Sequence, residues 1–249
     1  NDAERNHTNE TTGMIAASIA FHAEFGADLV LDQQVVVLSA SSKTAIGFSQ
    51  RAARRDGWSV VGLTSAANAD FVRSLGFYDT VVTYDQVDDA EHGVPLVDSV
   101  VIDMAGNPNV LAAVHQRLGD RVKHSMMIGR SHHDAVATVP AGGLPGAPPE
   151  FFFAPTALDR LVAKWGGAEY RRRTAEATRE FIDASRAWMS LDERRGPDGP
   201  ASAWASIYGG EVAPDVGVRQ HPHLAVGAGQ QHGARGPIKH RHVDLHGVA

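Results

Sequence analysis

Ser39, Ser41, Ser42, Lys43 and Thr44 set four hydroxyls and one ammonium within six consecutive residues, and Gly47 lies three positions beyond them. The β-branched run Val35-Val36-Val37-Leu38 precedes this cluster, and a segment with apolar residues at helical spacing follows it. Hydroxyls, a cation and the free N–H groups of a helix start are all donors, and together they suit a multiply charged anion such as a phosphate. Lys43 places its cation beside such a group, and Gly47, one helical turn in, permits close packing of the helix on the strand. A nucleotide is therefore the first ligand to consider. The formal G-x-G-x-x-G pattern is broken, because Ala40 and Ser41 stand near its first two glycines. A Walker loop fits less well: Ser42 precedes the lysine and Val37 takes the leading glycine position.

A second group of donors, Thr64, Ser65 and the nearby Asn68, follows the apolar run at residues 58–63. A dinucleotide pocket that selects NAD places a carboxylate at the end of its second strand, where it binds the ribose hydroxyls. Hydroxyls in its place remove the repulsion toward a 2′-phosphate and leave donors to receive it, which favours NADP. Near a later apolar run stand Ser131, His132, His133 and Asp134. His132 is the candidate to donate a proton or to orient a substrate carbonyl, although a loop histidine at a polar edge is the plainer reading. Asp103 reads as a strand-end residue that bonds the following turn. G-x-S-x-G does not occur, so a hydrolase lacks its nucleophile motif.

These residues need elements to hold them at one edge. Apolar runs at 35–39, 58–63, 81–84, 99–103 and 122–128 read as strands. Helical patterns at 14–25, 44–55, through Phe71, Val72 and Leu75, and at 109–118 fall before and between them. Strands joined by single helices require right-handed crossovers and a parallel sheet covered on both faces. The expected fold is α/β, a Rossmann-type doubly wound parallel sheet with a helical C-terminal extension. The expected division is a disordered N-terminal segment at 1–12, a nucleotide-binding domain at 13–155 and a helical region at 156–216. A His/Gly-rich disordered tail at 217–249 follows. Phe151-Phe152-Phe153 reads as one more strand. Leu158, Leu161, Val162 and Trp165 share one helical face, as do Phe181, Ile182, Ser185, Trp188 and Met189, and both faces are expected to pack on the sheet or on a second subunit of a homodimer.

Composition narrows the classes. The chain has 249 residues, 43% hydrophobic and 21% charged, with a net charge of −6, which gives no reason to expect nucleic acid. Arg171-Arg172-Arg173 reads as a solvated helix face. With 0 cysteines, disulfides and thiolate metal sites are excluded and a reducing, cytoplasmic setting is expected. No apolar run reaches the ~20 residues of a membrane span, and the polar segment holding Asp2, Glu4 and Glu10 is not a signal peptide. The tail holds six of the 13 histidines, but nothing fixes a ligand geometry, so no metal is expected.

The order of these blocks resembles the medium-chain dehydrogenase/reductase superfamily, in its zinc-free quinone- and enoyl-reductase-like branch. The resemblance rests on the turn from Val36 to Gly47 and on Val60-Val61-Gly62-Leu63-Thr64-Ser65. It continues through Leu75-Gly76-Phe77-Tyr78-Asp79, Val81-Val82-Thr83-Tyr84-Asp85, Val100-Val101-Ile102-Asp103-Met104-Ala105-Gly106 and Met127-Ile128-Gly129. It implies that Tyr84 lies near the adenine-ribose phosphate, that Ala105 and Gly106 lie beside the cofactor, and that Gly129 lies under the nicotinamide. A closer resemblance, over about residues 12–217, is to an uncharacterised family of reductase-like proteins. It shares the Ser-Ala-Ser-Ser-Lys-Thr-Ala turn, the Phe151-Phe152-Phe153-Ala154-Pro155 block, and the region of Trp188 and Arg195-Gly196-Pro197. The resemblance implies an NADP(H)-binding, zinc-independent oxidoreductase acting on a small-molecule quinone or enone. A non-catalytic dinucleotide-binding or sensor protein is the alternative. The superfamily's N-terminal GroES-like domain has no counterpart here, and the chain does not begin with Met, so a truncated or processed form is expected.

Overall fold

The computed structural model describes residues 33–104, 107–128, 143–152, 154–194 and 198–220. Val35, Val36 and Val37 have no exposed surface at all, so side chains pointing to opposite faces of one strand are equally buried. That is the condition of a parallel sheet covered on both sides, and it explains why the strand reads as a continuous apolar run. The strands β1 (Gln33–Leu38), β2 (Trp58–Thr64), β3 (Thr80–Thr83), β4 (Ser99–Asp103), β5 (Val122–Met127) and β6 (Pro149–Phe151) form one six-stranded sheet in the order β3-β2-β1-β4-β5-β6. All five pairings are parallel. This is the Rossmann order, in which the chain reverses direction across the sheet between β1 and β4 and leaves a crevice at their carboxyl ends.

Alternation along the strands divides the core into two layers. Val35, Val37, Val60, Val100 and Ile102 pack with helix α1 (Lys43–Ala52) and with residues of α4 (Ala154–Trp165) and α5 (Gly167–Ser185). Val36, Leu38, Val61, Leu63 and Val101 pack with α3 (Pro108–Leu118) on the opposite face. The short helix α2 (Ala69–Ser74) adds Phe71 to the first layer. Helix starts follow their caps: Ser42 accepts from the Ala45 N–H, and Asn107 accepts from the N–H groups of Asn109 and Val110 ahead of Pro108. Of the C-terminal helices, Leu161, Ala177 and Phe181 are buried in the first layer, while Val162 and Ile182 of the expected faces are exposed. Arg172 and Arg173 pair with Glu169 on the surface of α5, and the Arg173 guanidinium lies 4.2 Å over the Trp165 ring.

The region expected to be wholly helical differs in one respect. Strands β7 (Ser190–Arg194) and β8 (Val216–Gln220) form a two-stranded parallel sheet, with α6 (Gly199–Tyr208) between them in sequence. The expected tail boundary at Gly217 therefore falls inside a strand. The helical pattern at 14–25 and the segments 1–12 and 221–249 lie outside the described residues. Among the described residues no helix is long and apolar enough to cross a membrane.

Two polar side chains buried at the sheet, Gln34 and His115, are matched. Gln34 donates to the Pro95 carbonyl and to Ser99. His115, fully buried on α3, has Nδ1 2.8 Å from the Pro145 carbonyl and Nε2 2.8 Å from Ser125 Oγ. A carbonyl only accepts, so Nδ1 carries the proton and Nε2 accepts from the serine. Burial lowers the His115 pKa, partly offset by the bond to Pro145. A folded-state pKa below the unfolded value of about 6.5 means that the neutral ring stabilises the fold above that pH. Stability is then lost as pH falls below it toward the folded value. Urea denaturation is expected to show this acid-side loss, and His115→Gln should reduce its slope while lowering stability at pH 8 by roughly 1–3 kcal/mol.

Candidate nucleotide-binding site

The crevice is framed by the turn that leaves β1. Ser39 has a φ of +60°, the left-handed conformation that favours glycine. Backbone bonds hold it there: the Ala40 N–H donates to the Leu63 carbonyl at 2.8 Å and the Ser42 N–H to the Ser39 carbonyl at 2.8 Å. The chain then enters α1, where Ser42 Oγ takes the Ala45 N–H at 3.2 Å and the Ser42 carbonyl takes the Ile46 N–H at 2.9 Å. The N–H groups of Lys43 and Thr44 have no partner among the described residues, so they are the two donors this helix end offers to an anion.

Tyr78 fixes the turn from the side. Its hydroxyl donates to the Ala40 carbonyl at 2.8 Å, and a Cβ added at Gly62 would lie 2.6 Å from Tyr78 Cδ1. Gly62 thus exists so that the ring can lie against β2. Sequence reasoning places no role on Tyr78, and the signal for it was an isolated glycine inside a buried strand, which marks a close approach. Asp79 completes the block: its carboxylate accepts the Val60 N–H at 2.7 Å and its N–H donates to the Val60 carbonyl at 2.8 Å.

The second group of expected donors divides. Asn68 Nδ2 donates to Ser41 Oγ at 3.2 Å, so the first turn and the segment after β2 meet. Ser65 and Asn68 are half-buried and reachable. Thr64 is not, because it is fully buried opposite Thr83, and its hydroxyl has no partner among the described residues. Tyr84 follows β3 and reaches back to the first turn. Burial raises its phenol pKa, Ser39 opposes this through hydrogen bonds from side chain and backbone, and the Asp103 carboxylate raises it further. Ser39, Tyr84 and the buried Asp103 stand at or just past the carboxyl ends of β1, β3 and β4, with Asp103 near enough to act on the phenol.

Two expected roles change. Lys43 Nζ donates to the carbonyls of Pro214 at 3.3 Å and Val216 at 3.0 Å, so its ammonium is committed to the start of β8. Burial lowers the Lys43 pKa and the Asp215 carboxylate partly restores it. Gly47 does not serve contact with the strand: an added Cβ would meet the Phe181 ring first, at 3.4 Å. Phe181 in turn stacks edge-on with Trp188, and Trp188 with Phe71. Ala105, Gly106, Gly129 and His132 lie outside the described residues. Among the described residues no group of three or more His, Cys, Asp or Glu is placed to hold a metal ion.

A family model described as "Protein of unknown function (DUF2855)" matches residues 10–213. No curated protein matches the sequence. Solved structures similar to this one include a Mesorhizobium loti protein assigned as an NADPH:quinone reductase, with 16% identity, a TM-score of 0.55, and 83% of this chain and 58% of that one covered. CurA of Vibrio vulnificus, solved in complex with NADPH, has 13% identity and a TM-score of 0.54 over 84% of this chain and 62% of that one. The yhdH oxidoreductase of Salmonella enterica, solved with NADP, has 18% identity and a TM-score of 0.50 over 84% and 61%. The chain thus spans roughly three fifths of the length of these proteins. The shared feature is the fold, and it agrees with the resemblance to medium-chain dehydrogenases and reductases seen in the sequence.

The packing of Tyr78 on Gly62 sets a stability test. Gly62→Ala is expected to displace the ring and cost about 1–3 kcal/mol, the range of overpacked cores. Tyr78→Phe, which removes the bond to Ala40 and keeps the ring, should cost about 1 kcal/mol. Urea denaturation measures both, and a Gly62→Ala protein as stable as the parent would contradict the close approach.

Proposed function

The chain belongs to the DUF2855 family, and for this member we propose NADP(H) binding at the carboxyl edge of the sheet, in support of a zinc-independent reduction of a small quinone or enone. The observation that carries this reading is the Ser39–Thr44 turn. It places two N–H groups of a ten-residue helix, without partners among the described residues, at the point where the sheet order reverses. Such a helix start suits a diphosphate through its free donors and its positive dipole end.

Within that reading the Lys43 and Thr44 N–H groups, with the hydroxyls of Ser41 and Ser42, hold the diphosphate. Ser65 and Asn68 meet the 2′-phosphate, standing where an NAD-selective strand end carries a carboxylate. Tyr84 and Ser39 border the adenosine side, and Ala105, Gly106 and Gly129 supply the small residues at the ends of the central strands. The bound reduced nicotinamide would supply a hydride to the substrate. His132 would donate a hydrogen bond to the substrate carbonyl oxygen, stabilising charge that develops there. Neighbours solved with NADP or NADPH, and one solved with NAD, support a nicotinamide dinucleotide, and the hydroxyls of the second turn favour its phosphorylated form.

Fluorescence titration with NADPH and NADH, followed by NADPH oxidation against quinones and enones, tests the proposal. Micromolar or tighter NADPH binding is expected, with NADH weaker by at least about tenfold. His132→Ala should lower turnover by about 10²-fold or more at unchanged NADPH affinity. Absence of NADPH binding would overturn the reading. Binding without oxidation of any acceptor would leave a dinucleotide-binding protein without the chemistry.

A further inference from the structure

We propose that the corner Pro214–Val216 is a strap that competes with the nucleotide phosphates for Lys43, so that release of this corner accompanies nucleotide binding. The inference rests on the reading of Ser39–Thr44 as the phosphate turn. Lys43 is the first residue of α1, directly after its Ser42 cap, and so its side chain rises from the anion-binding end of the helix. An ammonium has three N–H donors. Two of them are taken by the Pro214 and Val216 carbonyls, and the Asp215 carboxylate between those residues lies close enough to act on the charge. The only lysine of the turn thus has two of its donors taken by a segment about 170 residues away in the chain.

The corner is built to hold that position. The Ser190 N–H donates to the Asp215 carbonyl at 2.9 Å and the Val216 N–H to the Ala213 carbonyl at 3.0 Å, which fixes the two acceptor carbonyls relative to β7. The β7–α6–β8 unit is braced internally by Arg194, whose guanidinium donates to Asp192, Ser202 and Ser206. A diphosphate arriving at the Lys43 and Thr44 N–H groups brings oxygens that are stronger acceptors for an ammonium than neutral carbonyls. The same diphosphate meets the like charge of Asp215. Both effects favour transfer of Lys43 from the strap to the ligand and loosening of the corner. By linkage, whatever stabilises the strap weakens the nucleotide, and the reverse.

Two measurements on the full chain decide the matter. NADPH titration of Asp215→Asn, which keeps both carbonyl acceptors but removes the charge, is expected to show affinity about fivefold tighter than the parent. Amide hydrogen exchange should show that NADPH protects residues 43–46 while it speeds exchange at residues 213–220. Unchanged or weaker affinity in Asp215→Asn overturns the strap, and so does protection of 213–220 by NADPH, which would make that segment a clamp on the ligand. If neither protein binds NADPH, the nucleotide reading itself fails and the strap falls with it. If both bind equally, the strap alone fails.

Discussion

The hydrogen bond from the Ala40 N–H to the Leu63 carbonyl is the constraint on which the candidate site depends. It ties the first residue past the left-handed Ser39 to the end of the neighbouring strand, so the turn cannot continue as a strand and must fold back into α1. A non-glycine residue at this φ costs roughly 1–2 kcal/mol. The surroundings offset that cost: the Tyr78 hydroxyl bonds the Ala40 carbonyl and the Ser42 N–H closes on Ser39. The consequence is a helix start at the sheet edge with two N–H groups that have no partner among the described residues. A dinucleotide site needs such donors in place before the ligand arrives.

The C-terminal region secures the far side of the same helix. Phe181 lies against Gly47 and Trp188 bridges Phe181 and Phe71, so one aromatic chain joins α1, α2 and α5. Arg54 and Arg51 reach Glu180 beside it. Buried apolar contact rather than these partly exposed ion pairs carries most of the stabilisation, because exposed pairs contribute at most about 1 kcal/mol. Residues of the C-terminal helices are therefore part of the core that positions the turn.

Much of this was legible in the sequence because buried parallel strands write themselves as β-branched runs, and β4 matches its apolar run at residues 99–103. Strands β7 and β8 were not legible. Ser190–Arg194 is polar and half exposed, and its pairing comes from residues twenty positions away and more. The donor-rich turn was recognisable by type, but the contact of Asn68 with Ser41, which joins the two donor groups, comes from the fold. The partners of Lys43, Gly47 and Tyr78 were not, since each is chosen by tertiary geometry that no local pattern encodes. Thr64 shows the same limit: a strand-end hydroxyl looks like a ligand donor until the fold buries it.

The central claim is that the helix start at Lys43 and Thr44 receives a diphosphate. Backbone amide NMR of the isotope-labelled protein during NADPH addition reports on those two groups directly. The account predicts saturable downfield shifts of the Lys43 and Thr44 amide protons as they gain a charged acceptor, with smaller changes at Ser65 and Asn68. Saturable shifts that leave Lys43 and Thr44 unmoved, or no shifts at all, would contradict it.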